Sequence, residues 1–199
     1  MSLMLAALLA QSVALDADRH VAAKQCAAAS VMGSQQESSL RIVARMMYFV
    51  AEAVRERPGN KPFFERVNEI SAELGSKPAP DGIVALLPAC LERYPLAHAE
   101  RVVTLPADGL RRDTLCLAAY SLLMGAAQEH ERMGDGTGQA ATLQASANRI
   151  GNRLTDEALA AEGIIDGTAL QAQMARELLV SARQGNIEMV RRACDKAGG

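Results

Sequence analysis

The sequence reads Ile83-Val-Ala-Leu-Leu-Pro-Ala-Cys90 near the middle of the chain and Ile187-Glu-Met-Val-Arg-Arg-Ala-Cys194 near its end. The two stretches align without a gap, with isoleucine first, an aliphatic residue fourth and Ala-Cys last. Each of them is preceded by an earlier Cys-x-Ala-Ala segment, which begins at Cys26 in one case and at Cys116 in the other. This order of matching segments predicts an internal duplication, in which two halves of the chain begin and end alike.

The spacing of the matching segments differs at one place. The two cysteines of the first half lie 64 residues apart and those of the second half 78 apart. Most of the excess falls in a glycine-containing loop around residues 129–139. Chance similarity between two alanine-rich helical sequences is the alternative explanation, because short matches of Ala and Leu are common in helices.

The cysteines themselves indicate disulfides. There are four, Cys26, Cys90, Cys116 and Cys194, and no Cys-x-x-Cys pair of the kind found in zinc sites and thioredoxin-like redox centres. In an oxidising compartment, four separated cysteines form two disulfides, for which three connectivities exist. The duplication selects Cys26 with Cys90 and Cys116 with Cys194. In the cytoplasm the same residues would instead be reduced thiols in a core.

The composition favours helices. The chain of 199 residues is 49% hydrophobic and 22% charged, which is typical of soluble globular proteins. Only 3% of its residues are aromatic, so Ala, Leu, Val, Ile and Met must form most of the core, and these residues suit closely packed helices. We expect an all-α fold of two similar halves, each with about four helices and one disulfide. The predicted limits are 18–94 for the first half, 95–108 for a linker and 109–199 for the second half.

Periodicity and capping residues predict the individual helices. The clearest pattern is that of residues 40–57, in which Val43, Met47, Val50 and Val54 fall on one face, with Ser38 or Ser39 as the cap. The first half is predicted to contain helices at 18–32, 40–57 and 62–74 and one following Asp81. The second is predicted to contain helices at 110–131, 139–154, from 156, at 168–183, and one capped by Asn186.

The first seventeen residues differ from the rest of the chain. Residues 3–10 are wholly apolar, and small-residue sites follow at Ser12-Val-Ala14 and Leu15-Asp-Ala17, which is typical of a secretory signal peptide. No Lys or Arg precedes Arg19, so an amphipathic first helix is the alternative. A membrane span needs about 20 apolar residues, and the run stops at Gln11. We therefore predict a periplasmic or secreted protein without an integral membrane span, with the cytoplasm as the alternative.

A family resemblance points the same way. The Cys-Ala-Ala-Ala segment at Cys26 and the Pro-Ala-Cys-Leu segment at residues 88–91 resemble uncharacterised exported helical proteins of Gram-negative bacteria. The resemblance covers the first half, from the leader to about Tyr94. The second half departs from it by the glycine insertion and by Arg191-Arg192 where the first half has Leu87-Pro88. The family has no assigned activity, so the resemblance implies export and cysteine pairing but no site residues.

Several functional classes find no support in the sequence. A net charge of −2 gives no overall basic field for nucleic acid or anionic lipid. His20, His98 and His130 lack the spacing of helical metal sites, and no nucleophile elbow or phosphate-binding loop occurs. Arg41 and Arg45, four residues apart, are candidates to line a polar face, although such pairs are more often simply solvated. The sequence thus predicts no catalytic, cofactor-binding or metal-binding residues.

Three functional hypotheses follow. The first is an exported structural or protein-interaction protein with an unidentified protein partner. The second is a periplasmic helical carrier of a small apolar ligand, whose cavity between the halves would be lined by Met32, Met46, Met47, Met124 and Met174. The third is a cytosolic ankyrin-like adaptor, because residues 181–192 are similar to part of an ankyrin repeat. However, the 33-residue period and the further copies of such repeats are missing.

Overall fold

A computed structural model describes residues 14–33, 37–76, 78–132 and 138–198. These residues form nine α-helices and no β-strand, as expected for the predicted all-α fold. The helices are α1 (Arg19–Gly33), α2 (Ser39–Glu56), α3 (Phe63–Ser76), α4 (Leu87–Arg93), α5 (Gly109–Arg132), α6 (Gln139–Gly151), α7 (Asp156–Ala161), α8 (Gly167–Ser181) and α9 (Ile187–Lys196). Two short 3₁₀ helices, Ile83–Leu86 and Pro95–Ala97, precede and follow α4. The halves therefore contain four and five α-helices.

Local sequence explains where several helices begin. The Asn186 side chain accepts hydrogen bonds from two backbone N–H groups of the first turn of α9, which confirms the predicted cap. Asp166 and Thr155 cap α8 and α7 in the same way, each accepting one backbone bond. Ser38 occupies the N-cap position of α2, but its side chain makes no capping bond, contrary to the role expected of it.

The first core lies among α1, α2, α3 and α4. Alanines supply most of the buried residues of α1, and their small side chains allow this helix to pack closely against α2. Phe49 of α2 is fully buried and makes edge-to-face contacts with Tyr48 and Tyr94. Cys26 of α1 is bonded to Cys90 of α4, with the Cα atoms 5.6 Å apart.

The second core surrounds α5, which packs against α6, α8 and α9. Its largest fully buried side chains include Leu115, Tyr120, Leu123 and Ile150. Cys116 of α5 is bonded to Cys194 of α9, with the Cα atoms 5.8 Å apart. Both disulfides thus have the pairing that the matching segments predict, and each joins the first helix of a half to its last.

Helix α2 takes part in both cores. Phe49 and Val50 are buried in the first core, whereas Ala44, nearer the start of the helix, is buried in the second. The helix packs on α1 and α3 and also on α5 and α9. The two halves consequently share one element, and the duplication remains a prediction from the sequence.

Candidate functional site

A polar cavity of about 150 Å³ lies where the two halves meet. We call it the junction cavity. Three segments form it: the beginning of α2 with Glu37 just before it, residues 97–100 of the linker, and the beginning of α9 with its cap Asn186. Its lining residues are Glu37, Arg41, Ala44, Arg45, Ala97, His98, Glu100, Asn186, Glu188 and Met189.

Ion pairs compensate the charges around the junction cavity. Arg45 is only 8% exposed, and its Nη2 lies 2.6 Å from Oε2 of Glu37. Arg41 is half exposed, and its Nη2 lies 2.6 Å from Oε1 of Glu100. Both arginines line the polar cavity, as one of the two interpretations expects, whereas the solvated alternative is wrong for Arg45 because the linker and α9 cover that part of α2.

Glu188 is a buried carboxylate on the α9 side of the cavity. Burial opposes its ionisation, but hydrogen bonds and the positive charges of Arg191 and Arg192 outweigh this effect and lower its pKa. The Nε atoms of the two arginines lie 2.8 and 3.1 Å from its oxygens. The carboxylate is therefore ionised and held within α9, where it contributes a fixed acceptor to the wall.

Asn186 attaches the linker to the second half. While its Oδ1 caps α9, its Nδ2 donates a 2.9 Å hydrogen bond to the carbonyl oxygen of Ala97. A second link is made by the backbone N–H of Thr104, which donates to Oε1 of Gln184 at 2.9 Å. These bonds hold the linker against the α8–α9 turn and thereby fix His98 in place.

His98 has a buried Nε2 atom that makes no hydrogen bond within the described residues. Burial and the positive charge of Arg45 lower the pKa of this histidine to about 4, whereas Glu37 acts in the opposite direction. The imidazole is consequently neutral at pH 7. A neutral ring in a polar cavity can donate or accept one further hydrogen bond through Nε2.

Acidification should destabilise the protein through His98. Because the pKa of the folded state lies below the ordinary value of 6.5, the unfolded chain takes up the proton first as the pH falls from 6.5 to 4. We expect the free energy of unfolding to fall by about 2 kcal/mol between pH 7 and pH 4. A fully buried ring would give about 3 kcal/mol, and the smaller value applies because His98 is partly exposed to solvent. In His98→Gln the part of the acid destabilisation that is due to protonation of His98 should be absent. Urea unfolding of the wild-type and variant proteins at pH 7 and at pH 4 would measure the difference. An equal loss of stability in both proteins would contradict the assignment.

A second cavity between the halves is apolar and small. Its lining residues include Met47, Tyr48, Phe63, Leu122, Leu178 and Ile187. Its volume is about 30 Å³, which is enough for about one water molecule. Of the five methionines assigned to an apolar ligand cavity, only Met47 lines this one, and Met32 is half exposed. This cavity does not support the carrier hypothesis.

An open groove runs along α8 on the outer face of the second half. We call it the α8 groove. Its larger part, about 540 Å³, lies between α7 and the beginning of α8. Its smaller part, about 340 Å³, lies between the start of α5 and the remainder of α8, and Ile164 lines both parts. The apolar lining residues are Leu110, Leu159, Ala160, Ile164, Ile165, Leu170 and Val180.

The α8 groove exposes apolar side chains. Ile165 is 82% exposed and Val180 is 48% exposed, and helix α7 contributes no buried residue to either core. Sequence reasoning missed this groove, although the chain between Arg153 and Arg176 carries a signal. That stretch contains Asp156, Glu157, Glu162 and Asp166 but no lysine or arginine.

No family model, curated protein or solved structure matches the chain. Within the segments that the structure describes, no group of three or more His, Cys, Asp or Glu residues is placed to hold a metal ion. No helix in those segments combines the length and apolarity needed to cross a membrane. The resemblance to exported helical proteins stays a prediction.

Proposed function

We propose that this chain is an exported, non-catalytic protein-interaction protein that is stabilised by two disulfides. The two buried disulfides, Cys26–Cys90 and Cys116–Cys194, carry the proposal. Disulfides form and persist in oxidising compartments such as the bacterial periplasm and are rare in the cytoplasm. They weigh against the cytosolic adaptor, which requires reduced cysteines. The open α8 groove supports binding of a protein partner more than the apolar cavity supports carriage of a ligand.

The signal peptide in this proposal ends at Ala14. The apolar run of residues 3–10 lies outside the described residues, but the residues after Ala14 make specific contacts. Leu15 packs against the first core, and Arg93 donates to the carbonyl oxygens of Asp16 and Ala17 at 2.6 and 3.1 Å. Cleavage after Ala17 would remove all of these contacts, whereas cleavage after Ala14 keeps them. The contacts therefore support Ser12-Val-Ala14 as the processing site.

Fractionation of the bacterium that makes the protein tests the proposal. We expect the protein in the periplasmic or secreted fraction, with Leu15 as its first residue by mass spectrometry. Thiol titration in denaturant should find no free thiol before reduction and four afterwards. Four reactive thiols in a cytoplasmic protein would instead favour the adaptor. A mature chain that begins at Asp18 would contradict processing after Ala14 but not export.

A further inference from the structure

We propose that the α8 groove binds a basic amphipathic helix of a partner protein. This inference rests on the proposed interaction role and adds the class of partner. It follows from the shape of the groove, from the apolar side chains in it and from the sign of the charge around it.

The dimensions of the groove suit a helix. Helix α8 has 15 residues and is therefore about 22 Å long, which matches about four turns of a partner helix. The two parts of the groove follow α8 on either side of Ile164, and their volumes of about 540 and 340 Å³ are open to solvent. An amphipathic helix that lays its apolar face into such a groove is a common mode of peptide recognition.

The apolar side chains that line the groove would be covered by the apolar face of a partner helix. Ile165 and Val180 are exposed near opposite ends of α8, and Ile164 lies between the two parts of the groove. Covering these side chains removes apolar surface from water, which favours the complex against the costs of association.

The charge around the groove selects a basic partner. Four acidic side chains and two arginines line it, which gives a net charge of −2: Asp156, Glu162, Asp166 and Glu177 against Arg111 and Arg176. Nε of Arg111 lies 2.7 Å from Oε1 of Glu177, so these two charges compensate each other. The excess negative charge lies at the α7 end of the groove, where Asp156 and Asp166 are found and no basic residue lines the wall. Lysines or arginines flanking the apolar face of a partner helix would be attracted there.

The same charge disfavours two other occupants. A symmetric dimer would place the groove of one copy against the groove of its partner, because a two-fold interface uses the same surface twice. Two surfaces of net charge −2 would then face each other. An anionic lipid surface would be repelled in the same way. A basic protein segment is the occupant that both the apolar lining and the charge fit.

Peptide binding to the full-length oxidised protein tests this proposal. The probe is a fluorescent helical peptide of about 18 residues, with leucines at i, i+3, i+4 and i+7 and lysines along both flanks. A matched peptide carries glutamates in place of the lysines. Fluorescence anisotropy should show binding of the lysine peptide that weakens as salt is added, and at least about tenfold weaker binding of the glutamate peptide.

Variants of the exposed lining locate the binding surface. The double variant Ile165→Ser, Val180→Ser should bind the lysine peptide at least about tenfold more weakly. Asp156→Asn with Glu162→Gln should weaken binding and reduce its salt dependence, and Asp166 is left intact because it caps α8. Val102 is 80% exposed and does not line the groove, so Val102→Ser is the matched control and should bind normally. Circular dichroism would verify that each variant is folded.

Three results of the peptide and variant experiments would contradict the inference. Equal binding of both peptides, equal weakening by Val102→Ser, or no binding at all would overturn the inference. If the protein forms dimers in sedimentation experiments and the Ile165→Ser, Val180→Ser variant does not, the occupant of the groove is a second copy of the chain and the proposed basic helix is wrong. If the lysine peptide fails to bind an exported and fully oxidised protein, the partner class is wrong while the proposed export stands. A reduced cytoplasmic protein overturns the proposed function itself, whatever the peptides do.

Discussion

Replacing Cys116 and Cys194 together by alanine should lower the free energy of unfolding by about 4 kcal/mol. The bond between them closes a loop of 78 residues, and a long closed loop restricts the unfolded chain strongly. Alanine is chosen because both sulfurs are buried in the second core, where a serine hydroxyl would add an unsatisfied polar group. Urea unfolding of the wild-type and variant proteins, both without reductant, would measure the difference.

The first disulfide provides the matched comparison. Cys26 and Cys90 close a loop of 64 residues, so the chain-entropy estimate for Cys26→Ala, Cys90→Ala is also about 4 kcal/mol. Each double variant keeps the other disulfide intact. If either double substitution changed the free energy of unfolding by less than about 1 kcal/mol, the disulfide that it removes would not stabilise the fold as expected.

Replacing Phe49 by alanine should lower the free energy of unfolding by about 4 kcal/mol. The ring is fully buried near the middle of α2, and its removal takes away two edge-to-face contacts, with centroid distances of 5.8 Å to Tyr48 and 5.5 Å to Tyr94. Phe49→Leu keeps most of the volume and should cost less than half as much. Phe64→Ala, at a partly exposed ring of α3, is a second control with a smaller expected loss.

The shape of the unfolding curve carries a further expectation. Because α2 packs in both cores, Phe49→Ala should shift one common transition. Fluorescence would not report it well in a chain without tryptophan, so circular dichroism at a helix-sensitive wavelength is the suitable measurement. Two separated transitions, of which only one moves, would show that the halves unfold independently.

The helices could be predicted from the sequence because their signals are local. A capping residue such as Asn186 acts within one turn, and the apolar period of α2 is visible in its own residues. The disulfide pairing is a long-range property, but the matched segments around the cysteines made it accessible. The limits of α6 and α8 differ from the predicted ones by a few residues, which is usual at helix ends.

The candidate sites were not predicted because they depend on contacts between distant parts of the chain. Nothing in the local sequence separates Arg45, which is buried, from Arg41, which is half exposed. The difference arises because the linker and α9 cover one end of α2. Likewise, Ile164 is buried and Ile165 exposed, and only the packing of α7 and α8 decides which of the two adjacent isoleucines is covered.

The position of α2 also restricts how this protein can recognise anything. Separating the halves would expose Ala44, which is buried in the second core, or Phe49, which is buried in the first. A clamshell motion around a central ligand would therefore uncover apolar side chains of α2. The α8 groove lies on an outer face, where a partner reaches it without any such separation of the halves.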